Sequence, residues 1–407
     1  MTRRRVALTG LGLVTPMGIG TDALWNGLME NRSAVRPAEG FDTGDMPVRY
    51  YAPMPPIDFD RYLDPQVSAL WSNASKLAVM GGQLAAEDAG IESFVPSRTG
   101  VVLGTGYGCI YEFEEHFKAW FEKGWKRIKP IAVPKMMPNA PASQLAIRFG
   151  ARGINFTVST ACSSGAIAAG LAAERIRAGA LDACITGGLD FILNASVAAV
   201  WNALRVLSKV DDPTASRPFS ADRAGLVLGE GCAVLVLEEW EAARRRGARI
   251  YAEVRGVGAT NDATNIVAPD VAGEAECVRM ALADAGLEPG DIDHVNAHGT
   301  ATTANDANET AVLKEVLGPR ARAIPVSSIK GHLGHTMGAA GAIEVAATAL
   351  SIRHQRVPAT LHWKAGDPAC DLDYVADGPR EAPIRHALTT SFGFGGQNSV
   401  LVLSRPD

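Results

Sequence analysis

Short apolar runs alternate with longer stretches of helical spacing along the 407-residue chain. The pattern predicts a strand at Arg5–Leu11 and a helix at Lys76–Ala89, ended by Gly90. A strand at Gly100–Leu103 leads into the glycine-rich turn Gly104–Gly108. A strand at Asn155–Ser159 precedes a helix of small residues at Ser163–Ala178, and further strands fall at Ala183–Gly187 and Cys232–Glu238. Strands alternating with helices imply an α/β protein with mostly parallel inner strands.

Near Arg249 the pattern starts again. Strands are predicted at Ile250–Gly258, His294–Ala297, Pro325–Ser327 and Val400–Leu403, with helices at Glu274–Ala285 and Gly338–Arg353. This divides the chain into residues 1–248 and 249–407. A faint echo links the halves. The strand FTVS leads through a polar turn to Cys162 and SSGAIAAGLAAE, and IPVSS leads through another to HTMGAAGAIEVAATA. Duplication explains the echo, but so does the general use of Gly and Ala where helices pack closely. No Pro-rich linker separates the halves, so one continuous core is expected. Met46–Leu63 reads as a surface excursion, and the aromatic, basic, Met-rich stretch Phe117–Pro138 as a lid or a subunit contact.

Composition narrows the function classes. The formal net charge of −5 and the short basic runs Arg3–Arg5 and Arg244–Arg246 argue against nucleic-acid binding. Arg3–Arg5 followed by VALTGLGLVTP superficially looks like a secretory leader, but the apolar run is broken by Gly and Pro and reads as a first buried strand. No run is long and apolar enough for a membrane span. The six cysteines are scattered without a C-x-x-C pair, which speaks against a zinc site or a disulfide framework and fits a reducing cytoplasm.

Four segments carry candidate chemistry. Cys162, in STACSSG, sits where a strand ends and a helix begins; the free N–H groups there are expected to favour its thiolate. His298, in NAHGTATT, ends an apolar strand, where α/β folds place ligands. Lys330, His332 and His335 share the short loop KGHLGHTMG. Phe392 and Phe394 lie in SFGFGGQNS, a loop suited to close approach or movement. A structural explanation is available for most of these segments taken singly.

Together, and in this order, TACSSG, NAHGTAT, KGHLGHTMGAAG and GFGGQN resemble the β-ketoacyl-acyl carrier protein synthases of the thiolase superfamily, close to synthase II and the type II polyketide ketosynthases. RPFSADRAGLVLGEGCAVLVLE and CDLDYV extend the resemblance over nearly the whole chain. The resemblance implies a thiolase-like α/β fold: two similar βαβ-rich halves in a five-layered αβαβα core, with the Cys in the first half and both His and the Lys in the second. It implies a decarboxylative condensation with Cys162 as nucleophile and His298 and His335 as N–H donors to the malonyl thioester. Lys330 holds the network, Glu309 pairs with it, and Thr300 and Thr302 support it. The N–H groups of Cys162 and Phe394 form the oxyanion hole, and Phe394 is the gate. No metal or cofactor is implied beyond the phosphopantetheine arm of acyl carrier protein. The implied partners are that carrier and a second subunit, either an identical copy or a Cys-less chain-length factor.

Two departures bear on substrate. The second gating loop reads TNDATNIVAP, without the usual aromatic or His residue. Glu112 and Phe113 align with the helix lining the acyl pocket, as does Trp201 with the pocket itself. Glu112 faces either solvent, like Glu114 and Glu115, or the tunnel, where a carboxylate disfavours a saturated chain. These features lean toward a polyketide or polyene pathway, with housekeeping fatty-acid elongation and a non-catalytic scaffold subunit as alternatives. The presence of Cys162, His298, His335 and Lys330 argues against the scaffold.

Overall fold

The computed structural model describes residues 3–407. Ten strands form its framework: β1 Val6–Thr15, β2 Thr99–Gly104, β3 Asn155–Val158, β4 Ala183–Asp190, β5 Gly231–Glu239, β6 Ala252–Asn261, β7 His294–Asn296, β8 Val326–Ser327, β9 His386–Gly393 and β10 Gln397–Ser404. They are ordered 3-2-4-5-1 in the first half and 8-7-9-10-6 in the second. In each half the second strand pairs in parallel with its two neighbours, and the remaining pairs are antiparallel. Order and direction therefore repeat strand for strand, which establishes the duplication that the sequence echo left open. The halves meet where β1 pairs with β6 over Ala7–Glu253 and Leu8–Ala252.

Five layers result. Helix α1 (Asn73–Ala89) packs outside the first sheet against β1 and β5. Helix α4 (Val271–Ala285) packs outside the second against β6 and β10, beside α5 (Thr303–Leu317). Between the sheets lie α3 (Ser164–Arg177) and α6 (Ala340–His354), which contact each other and strands of both sheets. Helix α2 (Ile110–Lys123) lies in the excursion after β2.

Glycine sets how closely these layers approach. A Cβ on Gly10 or Gly12 of β1 would come within 2.2 or 1.8 Å of a carbonyl of α1. Gly256 and Gly258 of β6 meet carbonyls of α4 at 2.2 and 2.1 Å in the same way. The G-x-G of VALTGLGLV thus repeats in AEVRGVGAT, a second echo that survives because a side chain there would push the outer helix off its sheet.

Strand β1 is wholly buried at the middle of the protein, which bears out its reading as a first strand. Met46–Leu63 is not simply a surface excursion. Tyr51 and Ala52 are fully buried, and the Ala52 N–H donates to Leu228 O at 2.8 Å. The apolar residues of this stretch draw it into the fold despite its Pro and Asp content.

Candidate functional site

The site forms where the two halves meet. Chain leaving β3 reaches Cys162 in a tight turn just before α3. Ala161, immediately before it, has φ 50°, a left-handed conformation costly for a residue with a Cβ. The turn leading into α6 repeats the device, with Met337 at φ 51°. His335 stands just upstream of that turn, and His298 follows the end of β7. One side-chain atom each of Cys162, His298 and His335 lie within 4.8 Å of one another, and all three residues are buried.

The hydrogen bonds decide what the imidazoles offer. The Met337 N–H donates to His335 Nδ1 at 3.2 Å, which places the ring proton on Nε2. That Nε2 is buried and has no protein partner. Lys330 Nζ lies 3.3 Å from His298 Nδ1. An ammonium can only donate, so His298 also carries its proton on Nε2. Burial, with the Lys330 charge second, holds both histidines well below the ordinary imidazole range, so they are neutral. The site therefore presents N–H donors rather than lone pairs, a set that suits a developing oxyanion better than a metal cation.

Lys330 is the hub. Besides His298 Nδ1, its ammonium donates to the His298 carbonyl at 2.6 Å and pairs with Glu344 of α6. All three donors are used in a fully buried setting. Burial pushes Glu344 upward, and Lys330 opposes that. The expected pairing of Glu309 with Lys330 is thus corrected: the partner is Glu344. Glu309 instead accepts from the His298 N–H (2.8 Å), the Gly299 N–H (2.8 Å) and Thr390 Oγ1 (2.7 Å). It fixes the turn that aims His298. Gly299 is needed there, because a Cβ would stand 2.5 Å from Ser328 and 2.7 Å from Phe219. Thr300 and Thr302 share a hydrogen bond of 2.9 Å, and Thr302 caps α5.

The thiol departs from expectation. Burial pushes Cys162 up to about 11, outweighing the Lys330 charge and the Phe394 N–H, which favour the thiolate. The close packing that brings the two halves together disfavours charge on the sulfur, so the thiol form is favoured. His332 is not part of the site. Its ring nitrogens meet the carbonyls of Arg32 and Ala359 at 2.9 and 3.1 Å and tie distant segments together.

A cavity of about 320 Å³ opens from Cys162, His298 and His335 past Thr300 and Thr302 to Ile266 and Val267. Trp201 and Phe394 line it with their rings stacked, centroids 6.0 Å apart. Glu112 and Phe113 do not line it. Glu112 faces neither solvent nor this cavity: it is buried and accepts from the Asn73 N–H at 2.6 Å, holding α2 against the start of α1. Phe113 stacks on Phe117, centroids 5.9 Å apart. Helix register, which an aligned sequence does not fix, turns both away.

Three residues were missed. The Tyr107 hydroxyl accepts a hydrogen bond from Trp201 Nε1 at 2.7 Å. Asp190 accepts from Thr105 Oγ1 (2.7 Å) and from the N–H groups of Gly106 (3.0 Å), Tyr107 (3.1 Å) and Gly338 (2.7 Å). It clasps the Tyr107 turn to the turn after His335. Glu344 could have been found, as the only acid in the apolar run of α6.

The comparisons agree over the whole chain. Residues 3–243 match the β-ketoacyl synthase N-terminal domain and residues 251–364 its C-terminal domain. The chain is 39% identical to a 3-oxoacyl-[acyl-carrier-protein] synthase 2 of Synechocystis sp., covering 100% of this chain and 99% of that protein. It is 40% identical to the ketoacyl synthase alpha subunit of the tetracenomycin polyketide synthase of Streptomyces glaucescens, with the same coverage. Among solved structures, the ishigamide ketosynthase/chain length factor superposes with a TM-score of 0.95 at 33% identity, over 100% of both chains. A type II polyketide acyl-carrier protein in complex with its ketosynthase bound to the hexaketide gives 0.91 at 33%, also over 100% of both chains.

The Lys330–Glu344 pair yields a stability test. Lys330→Met leaves a buried carboxylate without its partner and should cost ~3–5 kcal/mol. Adding Glu344→Leu should recover most of that loss. Denaturant unfolding of the single and double variants measures both; equal stability of the two would contradict the pairing.

Proposed function

The chain belongs to the β-ketoacyl synthase family, condensing acyltransferases, and we propose that Cys162, His298, His335 and Lys330 carry the β-ketoacyl-acyl carrier protein synthase reaction. The single observation behind this assignment is the convergence of a thiol and two neutral imidazoles within 4.8 Å. Cys162 Sγ attacks the carbonyl of an acyl thioester on acyl carrier protein. The N–H groups of Cys162 and Phe394 hold the tetrahedral oxyanion, the carrier C–S bond breaks, and the carrier thiol leaves with the cysteine proton. Malonyl-carrier then loses CO₂, and its electron pair passes to an enolate whose oxygen accepts from the Nε2–H groups of His298 and His335. Each such donor contributes ~3 kcal/mol to the charged state. The enolate carbon attacks the acyl-Cys carbonyl. The Cys162 thiolate departs and takes a proton from solvent, leaving a β-ketoacyl-carrier. The phosphopantetheine arm of the carrier is the only prosthetic group this scheme uses. The six free cysteines suit a reducing cytoplasm.

Cys162→Gln tests the division of labour. Its side-chain amide imitates an acylated cysteine and leaves both histidines in place, so malonyl-carrier decarboxylation should persist while condensation is lost. Mass mapping after incubation of the unaltered protein with acyl-carrier should find the acyl group on Cys162 alone. Acylation elsewhere, or a folded Gln variant without decarboxylation, would sink the scheme.

For substrate, we favour an unsaturated polyketide or polyene chain over a saturated fatty acyl chain. Glu112 no longer supports this preference. The support comes from the stacked Trp201 and Phe394 rings beside Cys162, which offer flat faces to a rigid conjugated chain. A competition between saturated and polyenoyl carriers of equal length, scored by acyl-enzyme mass, should favour the polyenoyl chain. Trp201→Leu should reduce that preference severalfold. A preference for the saturated chain in the unaltered protein would instead make this a fatty-acid elongation synthase.

We also propose a dimer, with a second copy or a Cys-less chain-length factor, built on edge strand β3 and the excursion after β2. Strand β3 pairs on one side only, and its Phe156 is exposed. Phe121 and Trp125 are 78% and 70% exposed, an apolar surface that a monomer rarely leaves open. Light scattering at micromolar concentration, alone and with the candidate partner, should give a dimeric mass. A monomer in both samples would refute it.

A further inference from the structure

Glu274 is a buried acid that the condensing scheme does not use. It stands in the first turn of α4, is 1% exposed, and yet lines the cavity that leads to Cys162. Its one hydrogen bond is at Oε2, from Asn308 Nδ2 at 2.8 Å. The cavity's lining also includes the polar Asp262, Thr300, Thr302 and Asn305 and the apolar Ile266 and Val267.

We propose that Glu274 binds the carrier arm as a neutral carboxylic acid, donating a hydrogen bond from the cavity wall to an amide carbonyl of the incoming thioester's pantetheine chain. The inference rests on the condensing reading above.

The electrostatic setting keeps the acid protonated. Burial raises Glu274 to about 9, and the charges acting most strongly on it are acidic: Glu309 of α5, Asp262 after β6 and Asp270 at the start of α4. The first-turn N–H groups of α4 would favour a carboxylate, but Asp270 already takes those of Ala272 and Gly273. A protonated carboxyl has one O–H to give and still accepts from Asn308. An extended arm passing from the mouth at Ile266 to Cys162 must desolvate its amides against this wall, and a buried amide carbonyl without a donor is costly. Thr300 and Thr302 spend one of their two O–H groups on each other, and Glu274 supplies a further donor beside the one they leave.

The test is steady-state decarboxylation and condensation with malonyl-pantetheine, the arm without the carrier protein, from pH 7 to 10. Glu274→Ala should raise KM about fivefold at pH 7 with kcat unchanged, the loss of roughly one hydrogen bond. Glu274→Gln keeps an N–H donor and cannot ionise, so its KM should stay near that of the unaltered enzyme and remain flat to pH 10. The unaltered enzyme's KM should rise above about pH 9, because the group loses its donor proton as pH passes its raised pKa. An unchanged KM in the Ala variant, or a Gln variant as weak as the Ala variant, would overturn the proposal. Should the Ala variant fail to fold, the pH profiles of the unaltered and Gln enzymes decide alone, and coincident profiles count against it. Absence of any turnover by the unaltered enzyme would instead remove the condensing reading, and this inference with it.

Discussion

Everything at the site depends on how closely the two central helices approach. A Cβ on Gly165 of α3 would stand 2.8 Å from Gly338 O and 2.9 Å from Ala342 N; one on Gly341 of α6 would stand 2.7 Å from Ala166 Cβ. The contact is reciprocal, since both glycines begin the same helix of the duplicated unit. It draws the turn that bears Cys162, from one half, against the turn that follows His335, from the other. Asp190 then locks the second turn to the Tyr107 loop. Two side chains 173 positions apart in sequence become neighbours because nothing larger than hydrogen stands between their helices.

That closeness sets the electrostatics. With water removed, burial is the largest influence on Cys162, His298, His335, Asp190 and Glu344 alike, and it opposes charge on each. Lys330 meets the same burial with three acceptors. Its ammonium selects the His298 tautomer by occupying Nδ1, and its charge helps keep both imidazoles neutral. Lys330 thus sets the His298 Nε2–H donor, while the Met337 N–H sets that of His335. The same burial pushes the Cys162 thiol upward, against the thiolate.

Much of this was legible in the sequence. The alternation of strands and helices and the restart near Arg249 pointed to the α/β class, and the four polar, Gly-bearing segments, taken in order, carried the family resemblance that singled out Cys162, His298, Lys330 and His335. These features are local: a strand end, a helix start and a loop rich in titratable groups each leave a contiguous trace. The G-x-G repeat in β1 and β6 was equally visible, but two glycines carry meaning only once a helix is known to lie on them.

What the sequence could not decide concerned partners and directions. The carboxylate that meets Lys330 is Glu344 and not Glu309, because the rotation of α6, set by its packing between two sheets, aims Glu344 inward while Glu309 caps the His298 turn. Glu112 and Phe113 were placed on an acyl pocket by alignment, yet a helix can turn a residue through the full circle without changing its place in the chain. The thiolate expected at a helix N-terminus gave way to a buried thiol, since desolvation depends on everything packed around the sulfur. The sequence by itself determined which chemical groups this protein possesses and on which local elements they sit. Only the tertiary structure decided which groups touch and which are shielded from water, because contact and desolvation arise between segments distant in the chain.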